Sequence, residues 1–178
     1  MALPDLTALD EFSATGPPPG AGPHDPRTLF SPVDQVHAAI QAIVASATQS
    51  VVLAMYGFDD DQLADLIKHQ LADEHLFVQL TLDQSQAGGV HEKEILAHEA
   101  YPASSVACGK SERGAIMHLK TGVVDGIITF NGSTNWSASG ESLQDNQLTV
   151  TWDPVLAART RSRIDAIHAH MVNAKAAP

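Results

Sequence analysis

The segment MHLKTGVVDGIITFNGSTNWS, residues 117–137, contains side chains whose types and spacing suit chemistry on a phosphate. His118 and Lys120 are two residues apart, Asp125 follows five residues later, and Gly132–Asn135 comes after a short apolar run. Side chains at positions i and i+2 of a strand point to the same face of a sheet. We therefore expect the imidazole and the ammonium to share one site.

These residue types can cleave a phosphodiester without a metal ion. A neutral imidazole can attack phosphorus and later leave, a second imidazolium can protonate the departing oxygen, and lysine can stabilise charge on the non-bridging oxygens. The turn after the second strand is expected to cradle the same anion through backbone N–H groups and polar side chains, contributed by Gly132, Ser133, Thr134 and Asn135.

Neighbouring residues supply candidates for orientation and for binding. A histidine that works near pH 7 needs a partner for its second ring nitrogen, and Glu141 and Asp145 are the candidates. Lys110 and Arg113 lie in a polar loop just before the motif and are expected to reach flanking phosphates. The other histidines show neither H-E-x-x-H nor Cys-rich spacing, so no metal site is predicted.

Alternating strands and helices are expected to position this segment. Apolar runs predict strands at 51–56, 76–83 and 147–152, and a strand pair that turns at Asp125–Gly126. Helical spacing predicts amphipathic helices that begin at Ser31–Pro32, after 59–61, at 91–100 and after Pro154. This order predicts a single-domain α/β fold, an α/β/α sandwich around a mixed, mostly parallel sheet.

Length and composition fit one globular domain. The chain has 178 residues, of which 44% are hydrophobic, and residues 14–26 are rich in proline and glycine. We therefore expect a flexible arm over residues 1–27 and a catalytic domain over 28–178. The single cysteine excludes an intrachain disulfide, and neither a signal-peptide pattern nor an apolar run of about 18 residues is visible. A cytoplasmic location is expected.

The charge balance limits the partners. The formal net charge is −11, from 10 basic and 21 acidic residues. An acidic surface opposes broad adhesion to nucleic acid and stable association with anionic membranes, so a phosphate-bearing substrate must meet a local basic patch. As substrates, single-stranded nucleic acid or short ends suit an acidic protein better than a long duplex.

The spacing H-x-K, four residues, D, six residues, G-S-x-N resembles the motif of the phospholipase D superfamily. Six fixed positions arise by chance in only a few random chains of this length per million, roughly. The resemblance covers about residues 28–152, and the residues that match the motif are His118, Lys120, Asp125, Gly132, Ser133 and Asn135.

The resemblance implies a phospholipase D-like fold and a homodimer. Lipid-cleaving members usually carry two motifs, whereas this chain has one, as in small bacterial nucleases that form two-fold dimers with the active site at the interface. It further implies that His118 forms a phosphohistidine, that the second copy of His118 acts as general acid, and that Lys120, Ser133 and Asn135 bind the phosphoryl oxygens. Asp125 is then structural, and Asp145 matches the histidine-orienting position better than Glu141.

Three functions remain open. The favoured one is a metal-independent phosphodiesterase, without a cofactor, that cleaves DNA or RNA in the manner of an endonuclease. A phospholipase D or phosphatidyl transferase acting on phospholipid is the second, and it should show an exposed apolar rim or a basic interfacial helix. The third is a non-catalytic, phosphate-binding dimer, because folds are reused without their chemistry.

Overall fold

The computed structural model describes residues 2–86, 102 and 104–176. The helix expected at 91–100 lies outside these residues. The strands are β1 (Arg27–Ser31), β2 (Ser50–Met55), β3 (Phe58–Asp59), β4 (Phe77–Asp83), β5 (Val106–Gly109), β6 (Lys120–Val124), β7 (Ile128–Gly132), β8 (Trp136–Ser137) and β9 (Asn146–Trp152). Seven of them form one sheet in the order β1-β9-β7-β6-β2-β4-β5, and β3 pairs with β8.

The described residues include four α-helices that pack around the sheet: α1 (Val36–Ala45), α2 (Asp61–Leu71), α3 (Ala138–Ser142) and α4 (Pro154–Ala176). Local chemistry fixes their starts, since Asp60 caps α2 by accepting from the Leu63 N–H and Ser137 caps α3 by accepting from the Gly140 N–H. Within the described residues, no helix is both long enough and apolar enough to cross a bilayer.

The sheet has helices on both faces because both faces of its central strands are apolar. In β2, Val51 and Leu53 pack in the core beneath α1 and α2, whereas Val52 and Ala54 pack against α4. Successive strand side chains point to opposite faces, so the fully buried run of β2 requires two cores. The expected α/β/α sandwich is confirmed.

The sheet is mixed, as expected. Five of its seven strands run in one direction, and β6 and β9 run in the other. Because each of these two strands lies between opposed neighbours, only the β2–β4 and β4–β5 pairings are parallel, and the other four are antiparallel. The β6–β7 hairpin turns where expected, at Asp125–Gly126, with φ values of 51° and 68°.

The N-terminal residues differ from the flexible arm that composition predicted. Residues Leu6–Phe12 form a 3-10 helix whose Leu6 and Leu9 are fully buried in the core that also contains α1. Asp10 pairs with Arg27, which joins this helix to β1. The expectation is wrong for these residues because an apolar pair three residues apart, one turn of a 3-10 helix, provides a packed face despite the proline-rich stretch that follows.

The first long helix begins later than Ser31–Pro32. Ser31 ends β1, and its hydroxyl donates to the carbonyls of Gly140 and Gln144 instead of capping a helix. The helix α1 begins at Val36. Ser31 therefore connects the edge strand β1 to the segment around α3.

Candidate active site

The ring of Tyr56 contacts both His118 and Lys120 of the motif. Tyr56 directly follows β2, and its N–H donates to the carbonyl of Leu119 at 2.8 Å. The edge of the His118 ring contacts the Tyr56 ring at a centroid distance of 4.5 Å, and the Lys120 Nζ lies 4.6 Å from the same ring centroid. One aromatic ring thus brings the imidazole and the ammonium together.

The backbone on either side of His118 is anchored, while its side chain is exposed. The Met117 N–H donates to the carboxylate of Asp83, which is fully buried. Lys120 begins β6 and is paired with Met55 of β2. His118 itself precedes the strand, so the two side chains share a site through Tyr56 and not through a regular strand alternation.

Lys120 offers a poorly hydrated positive charge. The residue is only 8% exposed, and burial lowers the pKa of its ammonium. Its Nζ donates to the carbonyl oxygen of His118 at 3.2 Å. A charge held this way interacts more strongly with a phosphoryl oxygen than a fully solvated lysine does.

The glycine of the motif is required by the approach of β9. A Cβ at Gly132 would lie 1.8 Å from the carbonyl oxygen of Gln147. The antiparallel register pairs Thr121 with Asn131, so the end of β7 lies beside the start of β6. Close contact with β9 therefore holds the turn that follows Gly132 next to Lys120.

Ser133 and Thr134 face different environments. Ser133 is exposed, and its hydroxyl donates to Asn146 Oδ1 at 2.8 Å and accepts from the Gln147 N–H at 3.1 Å. Thr134 is only 3% exposed, and its hydroxyl donates to the Gln147 carbonyl at 3.2 Å. The assignment of Thr134 to substrate binding is corrected, because its hydroxyl is directed into the protein and joins the turn to β9.

Asn135 packs against the backbone that follows Tyr56. A Cβ on Gly57 would lie 3.0 Å from Asn135 Cγ, and the Trp136 N–H donates to the Gly57 carbonyl at 2.9 Å. The Asn135 Oδ1 is buried, with no hydrogen-bond partner among the described residues. The β3–β8 pairing thus places the carboxamide at the end of β2 that carries Tyr56.

Asp125 closes the far end of the same hairpin. Its carboxylate accepts from the N–H groups of Thr48, Gln49 and Ser50 and from the Thr48 hydroxyl. Burial alone raises the pKa of Asp125, but these hydrogen bonds outweigh it, and the net pKa is lowered. Asp125 is placed to fix the loop before β2 and lies at the opposite end of β6 from His118.

Neither candidate orienter contacts His118 within the part of the chain that the structure describes. Asp145 is exposed, and it immediately precedes Asn146, which accepts from Ser133. Glu141 is 2% exposed, and its Oε2 lies 2.7 Å from Nδ1 of His37. Glu141 therefore orients a different histidine from the one that the motif suggests.

Lys110 and Arg113, the two basic loop residues, are exposed. Lys110 lines a cavity of about 470 Å³ between its loop and α4, together with His170 and Met171. Neither His118 nor the Gly132–Asn135 turn lines that cavity. The structure thus leaves Lys110 and Arg113 on the surface without bringing them into contact with the motif.

Sequence reasoning missed Tyr56, Asp83 and a cluster made of His37, Asp60 and Glu141. Tyr56 and Asp83 could have been found as the polar or aromatic residues that end two buried strands. The cluster has no spacing signal, since its members come from α1, the residue before α2, and α3.

Within this cluster, burial raises the pKa of Glu141 to about 7 against the opposing hydrogen bond from His37. Burial alone lowers the pKa of His37, but the contacts with Glu141 and Gln62 outweigh it and raise the net value.

The sequence matches a known family over most of its length. The family described as "Cardiolipin synthase, PLD-like domain" matches residues 40–168. A curated relative, the mitochondrial cardiolipin hydrolase of Chlamydomonas reinhardtii, is 24% identical over 124 residues, which are 70% of this chain and 53% of the relative. The chain therefore spans about half the length of that relative.

Solved structures share the fold. NucT from Helicobacter pylori has a TM-score of 0.67 and 22% identity, over 80% of this chain and 94% of NucT. Nuc from Salmonella typhimurium, a phospholipase D family member, has a TM-score of 0.68 and 18% identity, over 82% of this chain and 96% of Nuc. The chain therefore belongs to the family of PLD-like domains described for cardiolipin synthase, within the phospholipase D superfamily that its motif resembles, and has the fold of NucT and Nuc.

Proposed function

We propose that the protein is a metal-independent phosphodiesterase that hydrolyses nucleic acid, DNA or RNA, through a phosphohistidine at a two-fold dimeric active site. The observation that carries this proposal is the exposed imidazole of His118 beside the buried ammonium of Lys120, both on the ring of Tyr56. A nucleophile with a fixed positive charge beside it suits attack on a phosphodiester.

The reaction has two steps. In the first, an imidazole nitrogen of His118 forms a bond to phosphorus as the bond to the leaving oxygen breaks, and the partner subunit's His118 gives that oxygen a proton. In the second, water loses a proton to the partner subunit's His118 and attacks phosphorus, which breaks the bond to His118. Lys120, Ser133 and Asn135 hold the phosphoryl oxygens in both steps.

A dimer supplies the second imidazole, because one chain carries one motif. Exposed apolar side chains near the motif support this arrangement: Ile116 is 50% exposed, Leu119 37% and Leu143 75%. A second copy would cover such residues. Asp145 makes no contact with His118 of its own chain, so the proposal assigns its carboxylate to the imidazole of the partner subunit.

The single motif, which resembles that of small bacterial nucleases, favours nucleic acid over lipid. The chain covers more than nine-tenths of NucT and Nuc but about half of the cardiolipin hydrolase. A lipid phosphodiesterase or phosphatidyl transferase is the second candidate, which the names of the family and of that relative favour. The exposed apolar residues near the motif would then form a rim that contacts lipid.

A substrate panel in EDTA tests the proposal. Labelled single-stranded and duplex DNA, RNA, and cardiolipin vesicles are incubated with the protein, with His118→Ala and with His69→Ala, an exposed histidine of α2. We expect cleavage of nucleic acid by the protein and by His69→Ala, and a loss of about 100-fold or more in His118→Ala. Release of headgroup without nuclease activity would favour the lipid enzyme. A folded dimer that cleaves no substrate would favour a phosphate-binding role.

A further inference from the structure

We propose that His37, Asp60 and Glu141 bind one divalent metal ion such as Zn²⁺. The site is separate from His118, and the inference does not depend on the proposed phosphodiesterase chemistry. One imidazole nitrogen and two carboxylate oxygens lie within 4.8 Å of one another. This combination of N and O ligands is one that zinc accepts, with a fourth position open to water.

The separations suit a metal ion of that size. His37 Nδ1 lies 2.7 Å from Glu141 Oε2 and 3.5 Å from Asp60 Oδ2. Bonds of about 2.0–2.1 Å to zinc place tetrahedral ligand atoms roughly 3.3 Å apart. A small adjustment of the Glu141 side chain would therefore make room for the ion between the three groups.

The burial of two carboxylates calls for a cation. The Glu141 side chain is 1% exposed and that of Asp60 is 11% exposed. The second oxygen of the Glu141 carboxylate, Oε1, is buried and has no hydrogen-bond partner in the part of the chain that is described. Two acidic groups stay ionised in such a place only beside a compensating positive charge, which a divalent ion supplies in full and a protonated His37 supplies in part.

Neighbouring residues direct the ligand atoms inward. Gln62 Oε1 accepts from Gln41 Nε2 at 2.8 Å and lies 3.2 Å from His37 Nε2, so Nε2 carries a proton. When Nδ1 gives up its proton to make room for an ion, its lone pair faces the carboxylates, and Gln62 holds the ring in that orientation as a hydrogen-bonded outer partner does for a metal-bound histidine. Asp60 uses Oδ1 to cap α2, which leaves Oδ2 directed at His37.

The site is accessible and joins three helices. The His37 side chain is 28% exposed, which gives an ion a route from solvent. Its ligands come from α1, the start of α2 and α3, and α3 directly follows β8 and Asn135. A bound ion would thus hold the segment after Asn135 against α1 and α2. The role is structural, since no step of the proposed reaction passes through it.

Metal binding by the purified full chain tests the inference. The protein is stripped with a chelator, freed of it, and dialysed against zinc for elemental analysis, and Co²⁺ serves as an optical probe of tetrahedral ligands. We expect one ion per chain. Binding should weaken by about tenfold or more in His37→Ala and Glu141→Gln. It should stay unchanged in His118→Ala and in Glu74→Gln, an exposed glutamate.

Asp60→Asn separates loss of metal binding from loss of the fold. Asparagine caps a helix as well as aspartate does, so this variant keeps the start of α2 while it loses a carboxylate ligand. It should remain folded by circular dichroism and bind zinc more weakly. Failure of the unaltered protein to bind zinc or Co²⁺, or equal binding by His37→Ala and Asp60→Asn, would overturn the proposal. The cluster would then be a set of acidic groups that share a proton with His37.

Discussion

Individual residues near the motif show what spacing alone can and cannot predict. The pair His118 and Lys120 is placed together as expected, but the ring that joins them belongs to Tyr56, more than sixty residues earlier in the chain. Thr134 has the position of a cradle residue, yet its hydroxyl is turned into the protein. A motif fixes residue types, while side-chain direction depends on strands that pair across long separations.

The ring of Tyr56 should matter more than its hydroxyl. Tyr56→Leu removes the surface on which the imidazole and the ammonium rest, and we expect it to lower kcat by about 10- to 100-fold through lost positioning. Tyr56→Phe keeps the ring and loses the hydrogen bond that the hydroxyl accepts from Gln86, so its kcat should stay within about threefold of the unaltered enzyme. Equal activity of the two variants would show that the ring does not position the site.

Asp125 should stabilise the fold without taking part in the reaction. In Asp125→Asn, asparagine can adopt the positive φ of residue 125, but the charged acceptor for three N–H groups is lost. We expect a loss of about 1–3 kcal/mol in the free energy of unfolding at pH 7, measured with urea.

The effect of Asp125 should depend on pH. Its folded-state pKa is lowered, so the folded protein binds fewer protons at this group than the unfolded chain does. Its contribution is complete above the ordinary value of 3.8 and is lost as pH falls through the folded value. The difference between Asp125→Asn and the unaltered protein should therefore shrink in acid. A difference that does not change with pH would contradict this origin.

At the level of strands and helices, apolar runs predicted the central strands, and long-range partners set the rest. The fully buried β2 and β4 are visible in the sequence because both their faces are apolar. The strand β1 cannot be recognised in the sequence, because it is five residues long, follows a proline-rich stretch and depends on pairing with β9. The contact of Glu141 with His37 spans 104 residues, so no local pattern could assign it.

The contact between β7 and β9 should control the position of the motif turn. In Gly132→Ala the new Cβ would meet the Gln147 carbonyl at 1.8 Å, so the two strands must separate. We expect a lower midpoint of thermal unfolding and a loss of activity, because Ser133 and Asn135 move with the turn. Asn131→Ala, an exposed change on the same strand, is the control and should keep both properties. Full activity in Gly132→Ala would contradict the close packing.

For the molecule as a whole, the proposed active site requires two copies of the chain. Among the described residues a single chain brings one imidazole, that of His118, to the site, and exposed apolar residues lie on both sides of it in sequence. The sequence suggests the dimer only through its single motif and the resemblance to small nucleases. Which residues would be covered follows from exposure, which requires the fold.

A charge in the expected interface should separate the copies. Leu143 is 75% exposed, so Leu143→Lys leaves the folded chain intact and places two like charges close together across a two-fold axis. We expect a monomer by sedimentation and a large loss of activity. The matched control is Val155→Lys, 76% exposed at the start of α4, beside the end of β9 that pairs with the start of β7, and it should remain dimeric and active. An active monomer would contradict the shared site.

The most direct test is to identify the covalent intermediate. The protein is mixed with a phosphate-labelled oligonucleotide in EDTA, quenched in alkali within one turnover, digested, and analysed by mass spectrometry. We expect a phosphoryl-linked adduct on His118 that forms and decays at the rate of cleavage and is absent in His118→Ala. Cleavage without an adduct on His118, or with the adduct on another residue, would rule out His118 as the nucleophile.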